Sequence, residues 1–458
     1  MKTNKEKTKS EAIKALLKEV LCNSLAQATI KIFQTPHLLL KIFLFVSIIF
    51  LSVFASYLVI ESILTYFSYG VSTTSRIIYE SPTLFPQVTF CNVNWRTTKY
   101  AYEQKQKGTN YNYLSMDEKK MFSHNLSDIL IECWFNGNDC NEMDLIWLYD
   151  DTYKNCFTFN SGVDSRGNKM TLKKSNLAGF NFGLYLKLYV NIYEKLLEYS
   201  NDFELGTIIR IGNSSYMTDN SNNDIFLSPG FYGYVQLERE FRTMLPKPYS
   251  NCEIDSSSPM FRQDLDLFNL IGFSKYDYSQ QLCLTQCLQK KFIEKYNCTS
   301  YSMLSLYNLT QCESEIEDLI WSLDDSFDGN FINKNCLPSC PLECNQTLFK
   351  TSISFSKFIG DNLTFNIINN PELASDFINR TIDANAARES FVAVSIYYNS
   401  LSYMETTEAS NMNIASLLAS IGGSLSLFLG VSVFSLCELV EVLIEIYFLF
   451  KKQNITVS

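Results

Sequence analysis

Two long uncharged or nearly uncharged apolar runs stand near the two ends of the chain. Between them lie about 350 residues in which polar and apolar positions mix on short periods. The first run, Ile42 to Ile60, holds 19 residues without a charge, enough for one helical crossing of a bilayer. The second, Ile414 to Phe450, would extend about 55 Å as a helix at ~1.5 Å per residue, more than the ~30 Å that a bilayer core requires. It also contains Gly422, Gly423, Gly430-Val431-Ser432, Glu438, Glu441 and Glu445. Charges inside a span are costly unless they face water or another helix, so the second run reads as the lining of a pore.

The intervening pattern predicts a β-rich body with peripheral helices. Residues 85–92, 180–193, 207–211 and 231–235 alternate apolar and polar positions, as strands do. Residues 349–355 and 391–398 read as further strands leading back toward the second run. Residues 279–296 and 311–323 carry helical periodicity, residues 101–155 lean helical, and residues 11–33 contain one short amphipathic pattern (Ile13, Leu16, Leu17, Val20, Leu21). No internal repeat and no low-complexity linker interrupts the order.

Charge orients the chain. Residues 1–38 carry seven lysines against Glu6, Glu11 and Glu19, and Lys451-Lys452 follows the second run. The positive-inside rule then places both termini in the cytoplasm and everything between the spans outside. The expected division is a cytoplasmic tail 1–41, a first transmembrane helix 42–60, an extracellular domain 61–413, a pore-lining helix 414–450 and a cytoplasmic tail 451–458. Lysines at the start and no small-residue cleavage site argue for an uncleaved anchor in the first run. The net charge of −10 becomes about −14 for the outer segment alone, a surface that attracts cations and offers no basic patch for nucleic acid.

Of 14 cysteines, Cys22 and Cys437 fall in the tail and the second run, and the remaining twelve lie between the spans. An even number in one oxidising compartment implies a disulfide framework. Cys283 and Cys287 share one side of a helix, whereas Pro338 and Pro341 break any helix through Cys336, Cys340 and Cys344. An antiparallel approach would allow Cys283–Cys340 and Cys287–Cys336, but spacing leaves other pairings open. With only His37 and His124 in the chain, a zinc site is disfavoured and no metal or cofactor is expected. Sequons begin at Asn125, Asn213, Asn297, Asn308, Asn345, Asn362 and Asn379, all in the outer segment, and mark expected glycosylation sites.

Several stretches carry a resemblance: FPQVTFCN at 85–92, NCFTFNSG at 155–162, SPGFYGYVQLE at 228–238, CLPSCPLEC at 336–344, and IGGSLSLFLGVS at 421–432 followed by LCELVE. On these the chain resembles the degenerin/epithelial sodium channel family, from about residue 20 to 450. The resemblance implies an α+β membrane protein with two transmembrane helices flanking a disulfide-rich, clenched-hand ectodomain like that of acid-sensing channels. Assembly would be a homo- or heterotrimer in the plasma membrane, passing sodium and blocked by amiloride-like cations. The disulfide pairs it implies are Cys91–Cys156, Cys133–Cys140, Cys252–Cys344, Cys283–Cys340, Cys287–Cys336 and Cys298–Cys312.

The same resemblance gives Gly430, Val431 and Ser432 the role of a selectivity belt. A break in helical bonding, tolerated at glycine, would turn carbonyls toward a threefold axis, where they replace an ion's hydration. Ala419 and Ser420 fall at the outer gate, with Gly422 and Gly423 next along the pore, and Glu438 and Glu441 ring the inner mouth. Several features depart from the family pattern, these three among them. Gln27-Ala28 stands where the family has His-Gly, Ser420 replaces an outer-pore aspartate, and Thr299-Ser300 stands where acid-sensing channels have one more cysteine. The stimulus expected is an extracellular peptide or other ligand, or force.

Two other readings compete. A membrane-anchored surface enzyme would use Asp264-x-Asp266 as a metal-binding pair, but Leu265 and Leu267 suggest strand alternation there, and an enzyme has no use for a pore-like span. An ATP-gated trimeric channel shares the two spans but needs clustered basic residues that the outer segment lacks. The expected protein is therefore a channel subunit and not an enzyme.

Overall fold

The computed structural model describes residues 36–95, 98–109, 111, 114, 116–150, 152–164, 168–190, 205–213, 224–254, 265–272, 278–300, 303, 305–310, 312, 329–357, 365, 368–369, 383–430, 437, 440 and 444. Tail positions such as Gln27 and Ala28, the helix expected at 311–323 apart from Cys312, Asn362 and Asn379 lie outside the described residues. The chain divides into two compact units, one of residues 1–72 and 409–458, the other of residues 73–408.

Helices and strands are numbered in chain order. The helices are α1 Leu38–Phe67, α2 Lys99–Gln106, α3 Met116–Phe122, α4 Leu126–Ile129, α5 Leu265–Gly272, α6 Gln280–Tyr296, α7 Gly329–Asn335, α8 Ala384–Glu389 and α9 Ile414–Leu429. The strands are β1 Val71–Tyr79, β2 Thr83–Leu84, β3 Gln87–Asn92, β4 Leu130–Phe135, β5 Asn138–Asp139, β6 Leu145–Asp150 and β7 Lys154–Phe159. They continue with β8 Lys174–Ser175, β9 Leu184–Tyr189, β10 Thr207–Gly212, β11 Ile225–Leu227, β12 Phe231–Thr243, β13 Asn345–Lys357 and β14 Phe391–Ser410.

The larger unit is built on two sheets. A seven-stranded sheet runs β13-β12-β14-β9-β4-β5, with β1 also paired to β14, and a five-stranded sheet runs β11-β10-β3-β7-β6. One core joins their facing sides. Leu184, Leu186 and Leu188 of β9, Val392, Val394 and Ile396 of β14, and Val235 and Leu237 of β12 meet Val88 and Phe90 of β3 and Phe159 of β7. These residues sit at every second position of their strands, so the period of two seen in the sequence marks the face turned to this core, although β3 and β9 are each buried at five of six positions. Strand β7, between β3 and β6, is buried at all six positions, as expected of a strand covered on both faces. Across β3 and β7, Cys91 stands opposite Cys156, and Thr89 opposite Thr158 with hydroxyls 2.9 Å apart.

Two sequence expectations are corrected. The second half of residues 101–155, expected to lean helical, forms β4, β5, β6 and the start of β7. Its aromatic side chains lie on sheets, with Phe135 buried, Trp147 and Tyr149 half-buried and Trp134 exposed, where β-favouring residues pack well. Asp266, placed in a strand by alternation, lies in helix α5. Leu267 and Ile271, four residues apart on that helix, are buried against Leu282 and Cys283 of α6, a helical spacing that the short alternation concealed.

Helix α6 is capped at its start by Ser279, whose side chain accepts from Leu282 N, and ends at Asn297 in the left-handed region, φ 58°. Its buried glutamines fix the segment that follows. Gln289 donates to the carbonyls of Ser300 and Met303 and accepts from Ser300 N, while Gln286 accepts from Leu306 N. Each buried amide thus recovers the hydrogen bonds that it loses to water.

Candidate functional site

The smaller unit holds the residues singled out for conduction. Helix α1 extends beyond the 42–60 run to 30 residues and is long and apolar enough to cross a membrane. Its one buried residue is Ala55, while Leu39, Phe43, Phe50, Val53 and Leu64 are exposed on several sides. In water such a surface would be prohibitively costly, whereas lipid or other helices accommodate it. Phe54 of α1 meets Phe428 of α9 edge to face at 5.1 Å, an arrangement that aligns ring edge with ring face.

Helix α9 starts cleanly. Asn413 caps it, its side chain accepting from Ser416 N at 2.7 Å. It ends at Gly430, φ 69° and ψ 17°, whose N–H reaches back to the carbonyls of Leu425 and Ser426. That left-handed cap is a glycine conformation, because a side chain there would crowd the backbone. The regular helix therefore covers 16 residues and stops at the first residue of the proposed belt. Val431, Ser432, Glu438 and Glu441 lie outside the described residues.

The two sides of α9 differ. Leu417, Ser420, Ile421, Ser424, Leu425 and Phe428 are half-buried, at the i, i+3, i+4 spacing of one face. Ala415, Ala419, Gly422, Gly423, Ser426 and Gly430 are exposed on the other. A methyl group added to Gly422 or Gly423 would meet nothing within 4 Å. The structure thus brings Ala419, Gly422, Gly423 and Gly430 onto one open face of small residues and sets Ser420 on the half-buried side. That division is not visible from the residues' proximity in sequence.

In the larger unit six disulfides close: Cys91–Cys156, Cys133–Cys140, Cys252–Cys344, Cys283–Cys340, Cys287–Cys336 and Cys298–Cys312. Cys283 and Cys287 present from α6 toward Cys340 and Cys336, which bracket a short 3₁₀ turn, Leu337–Ser339, rather than a helix. Cys437 is unpaired and exposed. Among the sequons, Asn125, Asn297, Asn308 and Asn345 are exposed and Asn213 is half-buried. Among the described residues no cluster of His, Cys, Asp or Glu could hold a metal ion.

Polar groups that sequence reasoning did not single out organise the same unit. Arg210 is buried between Asp150 and Asp224, with Nε 3.0 Å from Asp224 Oδ1. Burial alone would lower the guanidinium's pKa, but the two carboxylates outweigh it and hold the pKa above its usual value. Arg239 reaches Glu80 and Thr83 while its guanidinium carbon stands 4.9 Å from the rings of Phe241 and Tyr403. It sits where four residues of β14, Asn399 to Ser402, bulge opposite the single Glu238 of β12. No motif marks these arginines, since a buried arginine and a surface one look alike in a sequence. The β4–β5 hairpin did carry a signal: Asn136-Gly137, with φ 52° and 76°, is the two-residue turn that such hairpins favour.

Comparison with known proteins places the chain. The family model for the amiloride-sensitive sodium channel matches residues 21–121 and 97–442. The chain is similar to an epithelial sodium channel subunit beta of Xenopus laevis, 26% identical over 69% of this chain and 47% of that protein. It is similar to acid-sensing ion channel 4 of Mus musculus, 26% identical over 70% of this chain and 55% of that protein. It is similar also to acid-sensing ion channel 1C of Danio rerio, 24% identical over 85% of this chain and 76% of that protein. The match thus spans about half the length of the first two relatives.

Proposed function

The chain belongs to the amiloride-sensitive sodium channel family, and on that footing we propose that it is one subunit of a trimeric, sodium-selective channel of the plasma membrane. The observation that carries this reading is the open face of small residues on α9, ending at the left-handed Gly430. Around a threefold axis three such faces leave room for a hydrated path, and the helix break at Gly430 frees carbonyls to coordinate a dehydrated ion. Val431 and Ser432 complete the belt, Ala419 sits at the outer gate with Ser420 behind it, and Glu438 and Glu441 concentrate cations at the inner mouth. Both termini are cytoplasmic, residues 61–413 are extracellular, and the exposed sequon asparagines are glycosylated. The subunit performs no catalysis, takes no cofactor and assembles with copies of itself or with related subunits.

Opening is driven through the extracellular unit by a peptide or other ligand, or by force, and amiloride-like cations block. Expression in oocytes, alone and with related subunits, tests the reading. Inward current that vanishes when sodium is replaced by N-methylglucamine and falls with amiloride is expected. Ala419→Phe should hold the channel open and raise resting current. Surface-expressed trimers that pass no sodium current under any of these conditions, Ala419→Phe included, would contradict the proposal.

A further inference from the structure

One corner of the seven-stranded sheet carries a row of aromatic rings that the conduction path does not use. Residues directly opposed across a sheet share a face. Trp134 of β4 stands opposite Tyr185 of β9 and Asp139 of β5, and Glu132 opposite Lys187. Tyr185 in turn stands opposite Ser395 of β14, and Ser395 opposite Tyr234 of β12. This side faces away from the core, which takes Phe135, Leu184, Leu186 and Val235 instead.

The rings touch in sequence. Trp134 and Tyr185 are 5.4 Å apart, Tyr185 and Tyr232 5.8 Å, and Tyr232 and Tyr234 4.4 Å between centroids. Trp134 is 48% exposed, an unusual state for so large a ring, while the three tyrosines are half-buried. The shelf is rigid. The Asn136-Gly137 turn and the Cys133–Cys140 disulfide close the β4–β5 hairpin, and Tyr232 Oη lies 2.5 Å from Ser395 Oγ. Two carboxylates flank the tryptophan. Asp139 is exposed and has no partner among the described residues. Glu132 accepts from the buried ammonium of Lys187 through Oε1 only, at 3.1 Å, and its side chain is 35% exposed.

We propose that this shelf binds an extended cationic peptide, with a guanidinium or ammonium group on the face of Trp134 between Asp139 and Glu132. An indole face attracts a cation through its quadrupole, and the two carboxylates add charge-assisted hydrogen bonds. The row crosses β4, β9, β14 and β12, a width of about 14 Å at ~4.8 Å per strand, which an extended chain covers in about four residues. The tyrosines offer those further residues amphipathic contact at low entropic cost, as aromatic anchors do at binding surfaces. Net negative charge on the whole unit favours a cationic peptide over a second, equally acidic copy of this chain. The inference deepens the reading of ligand gating above and rests on residues 73–408 facing outward, where a peptide can reach them.

Binding is measured on the full-length protein in lipid nanodiscs, independently of current, so that loss of conduction and loss of the shelf are separable. The probe is fluorescein-labelled Ala-Tyr-Arg-Tyr-amide, with a citrulline-for-arginine version as control. Saturable binding of the arginine probe, about tenfold tighter than the citrulline one, is expected. It should weaken about tenfold in Trp134→Ala, about threefold in Asp139→Asn, and recover in part in Trp134→Phe. Absence of saturable binding, equal binding of the two probes, or full binding by a trimeric Trp134→Ala protein would overturn the proposal. So would efficient crosslinking of Trp134→Cys to a neighbouring subunit, which would show the shelf covered by a second copy.

Discussion

The two units satisfy their side chains in opposite ways. Residues 73–408 close on themselves, with a shared core between two sheets, six disulfides, and buried arginines and glutamines that find partners within the chain. The helices of the other unit bury one residue in α1 and none in α9. Their apolar sides, and the small residues of α9, are left for lipid and for other helices. One unit thus satisfies its side chains within the chain, while the helices of the other leave most of theirs exposed.

Changes inside the closed unit should cost stability without regard to assembly. Arg210→Met, which strands Asp150 and Asp224 in a buried site, should destabilise by about 3–5 kcal/mol. The thermal midpoint of the detergent-solubilised protein reads that loss, and adding Asp224→Asn should return part of it. An unchanged midpoint would mean that the two aspartates are solvated. Cys91→Ser with Cys156→Ser should cost about 2–4 kcal/mol, seen as faster proteolysis and reduced surface expression under non-reducing conditions.

Acid should act on the same unit. The His124 ring is pushed down to about 4, first by burial, with Asp128 and the Asn94 backbone resisting. An unfolded histidine titrates near ~6.5, so the unfolded chain takes up a proton that the folded one refuses between those values. The stability is complete above the unfolded pKa and is lost progressively as pH falls toward the folded value, by at most about 3 kcal/mol. Glu240 is also held below the usual carboxylate range, first by its hydrogen bond from Lys350 and against the effect of burial. Its contribution is present above that range and disappears only at lower pH. Midpoints measured from pH 7 to 4.5 should fall for the native protein and stay flatter for His124→Gln. Equal slopes would remove His124 from the account.

The open unit should respond least in stability and most in conduction. Phe54→Ala removes the edge-to-face contact with Phe428 and should cost about 0.5–1.5 kcal/mol beyond the lost burial, a small shift in trimer dissociation temperature. A loss as large as that of Arg210→Met would erase the contrast between the units.

The sequence was most legible where burial follows one period. The alternation in β3, β9 and β12 and the helical spacing in α6 appear directly, because one face of each packs against a continuous core. Residues 130–150 were less legible, since β4 and β6 carry mostly half-buried residues on both sides and give no clean period. Gly430 was readable as a helix stop from its residue type, but the separation of Ser420 from Ala419 depends on how α9 is rotated against α1. The arginine sites depend on strands far apart in sequence, and nothing local announces them.

The central claim is that the small-residue face of α9 lines the sodium path. Cysteine substitution in a Cys437→Ser background tests it most directly, with a cationic methanethiosulfonate applied from outside during sodium current. Modification should block current at Ala419→Cys, Gly422→Cys, Gly423→Cys and Ser426→Cys, and leave it unchanged at Leu417→Cys, Ile421→Cys and Leu425→Cys. Block confined to the second set, or absent from the first in channels that conduct, would contradict the account.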